Sequence, residues 1–128
     1  MKNNKNFSGQ DLRNADFSGQ DLQDADFSGA NLQNANFSGA TLFFCNFSKA
    51  NLEYANFSGA DLWKSNLEYA NLYRSILYRV NLSGATLYRA ILENADLRFA
   101  DLQGANLSDT NLNNADFSGA NLIDTIFN

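Results

Sequence analysis

The sequence predicts an all-β, four-sided parallel solenoid wound in coils of 20 residues, on three observations. It repeats every five residues from Phe7 to Phe127, it confines every glycine to one position of that repeat, and its Phe and Leu centres alternate in a way that four sides keep in register and three do not.

Each repeat builds one side and one corner. Its centre is Leu or Phe through 25 successive copies. Two residues before the centre stands a small side chain, Ala at 16 of the 23 positions from Ala15 to Thr125. In an extended segment alternate side chains share a face, so the small residue and the centre point inward while the Asp or Asn between them points outward. A straight strand of odd period would turn every following repeat inside out. The two residues after the centre must therefore form a corner that resets the alternation. All 8 glycines (Gly9, Gly19, Gly29, Gly39, Gly59, Gly84, Gly104 and Gly119) fall at the second corner position, where a type II turn requires positive φ. Asn14, Asn34, Asn94 and Asn114, next best for that conformation, share the column. Arg, Lys, Tyr and Phe stand there in mid-chain, and for those repeats the expectation is a type I corner.

Short sides joined by corners close into a polygon whose stacked coils satisfy one another's backbone groups. From Phe7 to Leu62 Phe and Leu alternate strictly, which with four sides gives two opposite Phe columns and two Leu columns. The chain then makes about six coils, and at ~4.8 Å between neighbouring strands the rod is ~29 Å long.

Tandem copies such as "ANLQN", "ADLWK", "ANLYR", "ADLRF" and "ADLQG" make residues 5–128 resemble the pentapeptide-repeat family, whose consensus is A-(D/N)-L-x-x. The resemblance implies a right-handed quadrilateral β-helix without enzymatic activity. Its best understood members bind type II topoisomerases, notably gyrase, as acidic mimics of duplex DNA. Many others, abundant in photosynthetic bacteria, have no assigned role, and at least one regulates cell differentiation. The whole chain, 1–128, is expected to be one such domain, with residues 1–4 a short polar lead-in.

The inventory narrows function further. The chain has no His, no Pro, one Cys and a formal net charge of -5. Disulfide frameworks, His-based metal sites and Ser–His or Cys–His catalytic pairs are thereby excluded, so neither a catalytic residue, a cofactor nor a small-molecule substrate is expected. The N-terminal "MKNNKNFSGQDLRNAD" lacks the apolar stretch of a signal peptide, and no apolar run approaches the length of a membrane span. A cytoplasmic protein that does not engage membranes is the expectation. Triplets such as Asn36-Phe37-Ser38 match a glycosylation pattern only because the repeat generates them.

Charge is distributed unevenly along the rod. Residues 1–62 hold 7 acids and 4 bases, residues 63–92 hold 4 bases and 1 acid, and residues 93–128 hold 6 acids and 1 base. This basic waist is also aromatic. Phe43, Phe44, Tyr54, Trp63, Tyr69, Tyr73, Tyr78, Tyr88 and Phe99 occupy corner positions beside Lys64, Arg74, Arg79, Arg89 and Arg98. A 20-residue coil places Phe44 under Lys64, Tyr54 under Arg74, Tyr69 under Arg89 and Arg79 under Phe99, one aromatic–cation stack per corner. Such stacks tie coils together, at roughly 0.5–1 kcal/mol for an exposed pair. Tyr, Trp and Arg also dominate binding hot spots, which makes the girdle the candidate surface for an unidentified protein partner. A nucleic acid fits less well, since the net charge and acidic ends oppose a polyanion. The DNA-mimic alternative is interrupted by the basic waist and would need a dimer, because ~29 Å is shorter than one duplex turn of ~34 Å.

The remaining polar features have plain roles. Asp11, Asp16, Asp21, Asp24 and Asp26 look like a calcium cluster, but successive repeats face different sides, so these carboxylates serve turns and solubility. Asp96 and Asp116 share a column, where mutual repulsion would raise one pKa or attract a cation. Cys45 fills an inward slot and is expected to be a buried, inert thiol. Ile76 and Ile91 replace outward Asp or Asn and enlarge the apolar area of the waist. At the C-terminus Phe117, Leu122, Ile123, Ile126 and Phe127 form an uncovered last coil through which a homodimer is expected.

Overall fold

The computed structural model describes residues 5–128; the lead-in expected at residues 1–4 lies outside the described residues. Each side of the coil is so short that it pairs through a single bridged residue. Parallel bridges join residues 20 apart, from Asn6 with Asp26 to Asn106 with Ile126, so four five-residue steps return the chain above its own path. The bridging residue is the outward residue of each repeat, in most repeats Asp or Asn, and the corners follow two residues later.

One repeat, Asp26 to Ala30, shows how every amide is used. Asp26 N donates to Lys5 O of the coil below at 3.0 Å, and Phe27 N to Asn46 O of the coil above at 2.7 Å. Gly29 N reaches the corner above, at Ser48 O (2.9 Å), and Ala30 N closes the turn on Phe27 O (3.0 Å). The fifth amide, of Ser28, points outward and is accepted at 2.9 Å by the Asp26 carboxylate two residues back. This Asx bond is why Asp and Asn fill the outward column: it satisfies a donor that no neighbouring coil can reach.

The corners correct one expectation. No described corner has the negative φ that a type I turn needs at its second position. Phe44, Lys49, Tyr54, Lys64, Tyr69, Arg74, Arg79, Arg89 and Phe99 all lie between 52° and 61°, beside Gly9 at 66° and Asn14 at 64°. The corner-to-corner bond decides this. Arg74 N donates to Glu93 O, and Tyr54 N to Tyr73 O, at 3.0 Å each, and a type I corner would turn those amides away. Left-handed backbone costs a residue with a side chain roughly 1–2 kcal/mol, which the bonds above and below hold in place.

Inside, the centres and small residues form one continuous core, fully buried from Ala25 to Leu107. Phe7, Phe27 and Phe47 stack at 4.8 and 4.9 Å, and Phe17, Phe37 and Phe57 at 5.1 and 4.9 Å. The two columns meet edge to face, as Phe27 and Phe37 do at 5.5 Å. Cys45 is buried among them and donates its thiol to Leu22 O at 3.0 Å; burial pushes its pKa up to about 12, so the thiolate that redox chemistry needs does not form near neutrality.

Two inward serines differ in a testable way. Ser65 donates to Leu42 O at 2.7 Å, whereas the Ser75 hydroxyl, equally buried, has no partner among the described residues. Ser65→Ala is expected to lose about 1 kcal/mol in urea unfolding, and Ser75→Ala to lose nothing or gain, because only the second removes an unpaired buried hydroxyl. Equal losses in both would contradict the assignment.

Candidate functional site

The waist resolves into four corner clusters, one on each corner, that climb the rod from Phe43 to Phe99. The first corner residue leans toward the side before it: Asn71 Nδ2 donates to Glu53 Oε1 at 2.9 Å, and Arg98 forks onto Asp96 at 2.9 and 2.8 Å. The second leans toward the side after it, so Tyr54 and Arg74 wall a depression that contains Ile76 and Asp96.

Only one of the four expected column stacks forms as a ring–cation contact. Arg79 lies over Phe99 at 5.3 Å, but Lys64 lies over Trp63 (4.9 Å), Arg74 over Tyr73 (5.6 Å) and Arg89 over Tyr88 (5.4 Å), each its neighbour in sequence. The reason is the ring one coil up. Phe44 packs edge-on against Trp63 at 5.2 Å, Tyr54 against Tyr73 at 6.0 Å and Tyr69 against Tyr88 at 5.8 Å. These diagonal pairs occupy the space above the lower ring, and the cation turns sideways onto the ring beside it. The phenols of Tyr88 and then Tyr69 raise the Arg89 pKa. The fourth corner reverses its residue order, Tyr78-Arg79 below Arg98-Phe99, so cation and ring alternate in both directions. Arg98 lies over Tyr78 at 5.2 Å, Arg79 over Tyr78 at 5.4 Å, and Tyr78 meets Phe99 edge-on at 5.9 Å. The rings stay half in water: Phe44, Tyr54, Tyr69 and Phe99 are 47–51% exposed.

Three ion pairs form among the described residues: Arg13 with Asp11 at 2.7 Å, Arg98 with Asp96 at 2.8 Å and Arg89 with Asp109 at 3.8 Å. Lys64, Arg74 and Arg79 have no carboxylate partner among those residues. The expected repulsion between Asp96 and Asp116 does not dominate either group. The Arg98 guanidinium holds Asp96 below the usual carboxylate range, and hydrogen bonds from Ser118 do the same for Asp116. Asp11, Asp16, Asp21 and Asp26 each accept an amide two residues on, and no group of acidic or Cys side chains that could hold a metal exists among the described residues.

Sequence reasoning missed a set of backbone donors. At every described corner but four, the first corner amide is capped by the preceding Asp or Asn. The exceptions are Phe43, Tyr78, Tyr88 and Glu93, whose outward residues are Thr41, Ile76, Thr86 and Ile91. The signal was legible: these are the only breaks in the Asp/Asn column between Asn6 and Asn121. At the C-terminal end Leu122, Ile123, Ile126 and Phe127 are 41–60% exposed, and Phe117, partly buried, meets Phe127 at 6.5 Å.

The family model of pentapeptide repeats matches residues 21–53, 55–94 and 90–128, in 8 copies. Among solved structures, the chain is similar to the pentapeptide repeat protein Rfr23 of the cyanobacterium Cyanothece 51142, with 26% identity, a TM-score of 0.62, and 94% of this chain and 89% of that one covered. It is also similar to a pentapeptide repeat protein of the Arabidopsis thaliana thylakoid lumen, at 33% identity over 81% of this chain and 69% of that one, with a TM-score of 0.31. QnrB1, a plasmid-mediated fluoroquinolone resistance protein, matches at 20% identity over 90% of this chain and 75% of that one, with a TM-score of 0.44. No curated protein matches the sequence.

Proposed function

Because the chain belongs to the pentapeptide repeat family, whose repeats spend their inward residues on packing, we propose that it is a non-enzymatic scaffold that binds a protein partner through the outward side chains of its waist. Handedness and coil number are inferred with it: a right-handed quadrilateral helix of about six coils, at ~4.8 Å between neighbouring strands. The observation that supports the binding reading is the exposure of the girdle. Large rings stay half in water on all four corners, interleaved with cations of which three lack a carboxylate partner among the described residues. Half-buried aromatics beside Arg are the composition of binding hot spots.

The test is affinity capture from native cell extract with the wild-type chain beside a variant carrying Trp63→Ala, Arg74→Ala and Arg79→Ala, both shown folded by circular dichroism. A protein captured by the first and lost from the second is the expected result. Identical capture by both would overturn the reading, and gyrase subunits held by both would replace it with the DNA-mimic function. The cytoplasm is the compartment proposed, and cell fractionation decides between it and a lumenal site such as that of the Arabidopsis protein. No helix among the described residues is long and apolar enough to cross a membrane. Self-association through Phe117, Leu122, Ile123, Ile126 and Phe127 is a further part of the proposal, supported by their exposure, and a purely monomeric sedimentation equilibrium at high concentration would remove it.

A further inference from the structure

Of the four uncapped amides, that of Tyr78 alone has, among the described residues, no unpaired carboxylate on its own side of the coil or on the sides directly above and below it. Its column runs Asn56, Ile76, Asp96. Asn56 caps the Ser58 amide at 2.9 Å and Asp96 caps that of Arg98 at 3.1 Å, but Ile76 has no oxygen to offer. Ile76 is instead 40% exposed beside a depression of about 450 Å³ that it lines with Tyr54, Arg74, Ser75, Asn94 and Asp96. The only carboxylate in that depression is neutralised by the two-pronged contact with Arg98, which leaves the Arg74 charge unopposed. The other three amides are guarded by acids. Glu93 carries its own carboxylate, Tyr88 shares its side with Glu68, which accepts from Thr86 Oγ1 at 3.3 Å, and Phe43 lies between Asp21 directly below and Asp61 directly above.

We propose that the Ile76 face docks an acidic segment of a protein partner, one carboxylate of which accepts from the Tyr78 amide in place of the missing Asp or Asn and pairs with Arg74. The proposal rests on the protein-binding reading above and narrows it from a girdle to one face and one partner chemistry. Charge-assisted bonds from a guanidinium and an amide to a single carboxylate are the strong kind, and apolar surface at Ile76 and Tyr54 accommodates an aliphatic neighbour in the segment. The partner's carboxylate completes a turn that most corners of the solenoid complete for themselves.

The test uses the full chain labelled with nitrogen-15 and titrated with a short capped peptide of alternating Glu and Leu, in parallel with a Lys–Leu peptide and an oligothymidylate matching the Glu peptide's charge. The expected result is a saturable shift of the Tyr78 amide by the Glu peptide alone. Arg74→Ala should weaken binding by about tenfold or more, and so should Ile76→Asn, which restores the internal cap. Because Ile76→Asn supplies the bond the fold lacks, it should melt no lower than wild type, which separates lost binding from lost folding. An unmoved Tyr78 amide, unchanged affinity in Ile76→Asn, or displacement of the peptide by oligothymidylate would overturn the proposal. Failure of the parent reading is separable in the extract. A partner lost by the triple variant but kept by Ile76→Asn removes this face and leaves the girdle standing, whereas a partner kept by both removes both.

Discussion

Phe37→Ala is expected to destabilise the chain by about 3–5 kcal/mol, the largest effect of any single substitution considered. Phe37 is fully buried, stacked on Phe17 at 5.1 Å and on Phe57 at 4.9 Å, and met edge-on by Phe27 and Phe47 at 5.5 Å each. Removing it loses the transfer energy of the ring and leaves a void that the bonded coils above and below cannot close, since Phe37 N and Asn36 N are held at 2.7 and 2.9 Å to the coils on either side. Phe7→Ala should cost about half as much, because Phe7 is only partly buried. Urea midpoints at constant slope would check both. A Phe37→Ala loss below that of Phe7→Ala would mean that the aromatic ladder is not what holds the N-terminal coils together.

Gly119→Ala is expected to cost about 2 kcal/mol, against about 1 kcal/mol for Gly59→Ala. Both glycines have left-handed backbone, with φ of 73° and 66°, and share that part of the cost. They differ in what lies below the corner. A Cβ at Gly59 would meet nothing within 4 Å, whereas at Gly119 it would come within 2.6 Å of the Phe99 ring. Phe99 would have to move aside, giving up Arg79 at 5.3 Å and Tyr78 at 5.9 Å. A double-mutant cycle with Phe99→Ala checks the origin: the excess cost should vanish when the ring is absent. Persistence of the excess would place the strain in the backbone of the last coils instead.

Much of this architecture was legible because a five-residue period has few physical solutions. The alternation of Ala15 and Phe17 inward with Asp16 outward, and the glycines at Gly19 or Gly29, required a corner in each repeat, and the Phe/Leu alternation required columns 20 apart, as the bridges from Asn6 to Ile126 have them. The burial of Cys45 and the turn roles of Asp11, Asp16, Asp21 and Asp26 followed from the same register. The candidate site was legible only as a composition: rings and cations on the waist, without the contacts they would make.

Local sequence by itself determined the inward and outward columns, because side-chain alternation and the glycine corners are properties of single repeats. Tertiary stacking decided the rest. Arg74, Tyr54 and Phe44 turn through left-handed corners against their own preference, since the amide of each must meet a carbonyl one coil away. Lys64 and Arg89 lie over their neighbours in sequence, since those neighbours, Trp63 and Tyr88, already cover the rings of the coil below edge-on. The amide left open at Tyr78 belongs to both levels: Ile76 marks it in the sequence, but only the stacked coils show that no other oxygen among the described residues reaches it. A single repeat specifies where its side chains point, and the coils on either side specify what they touch.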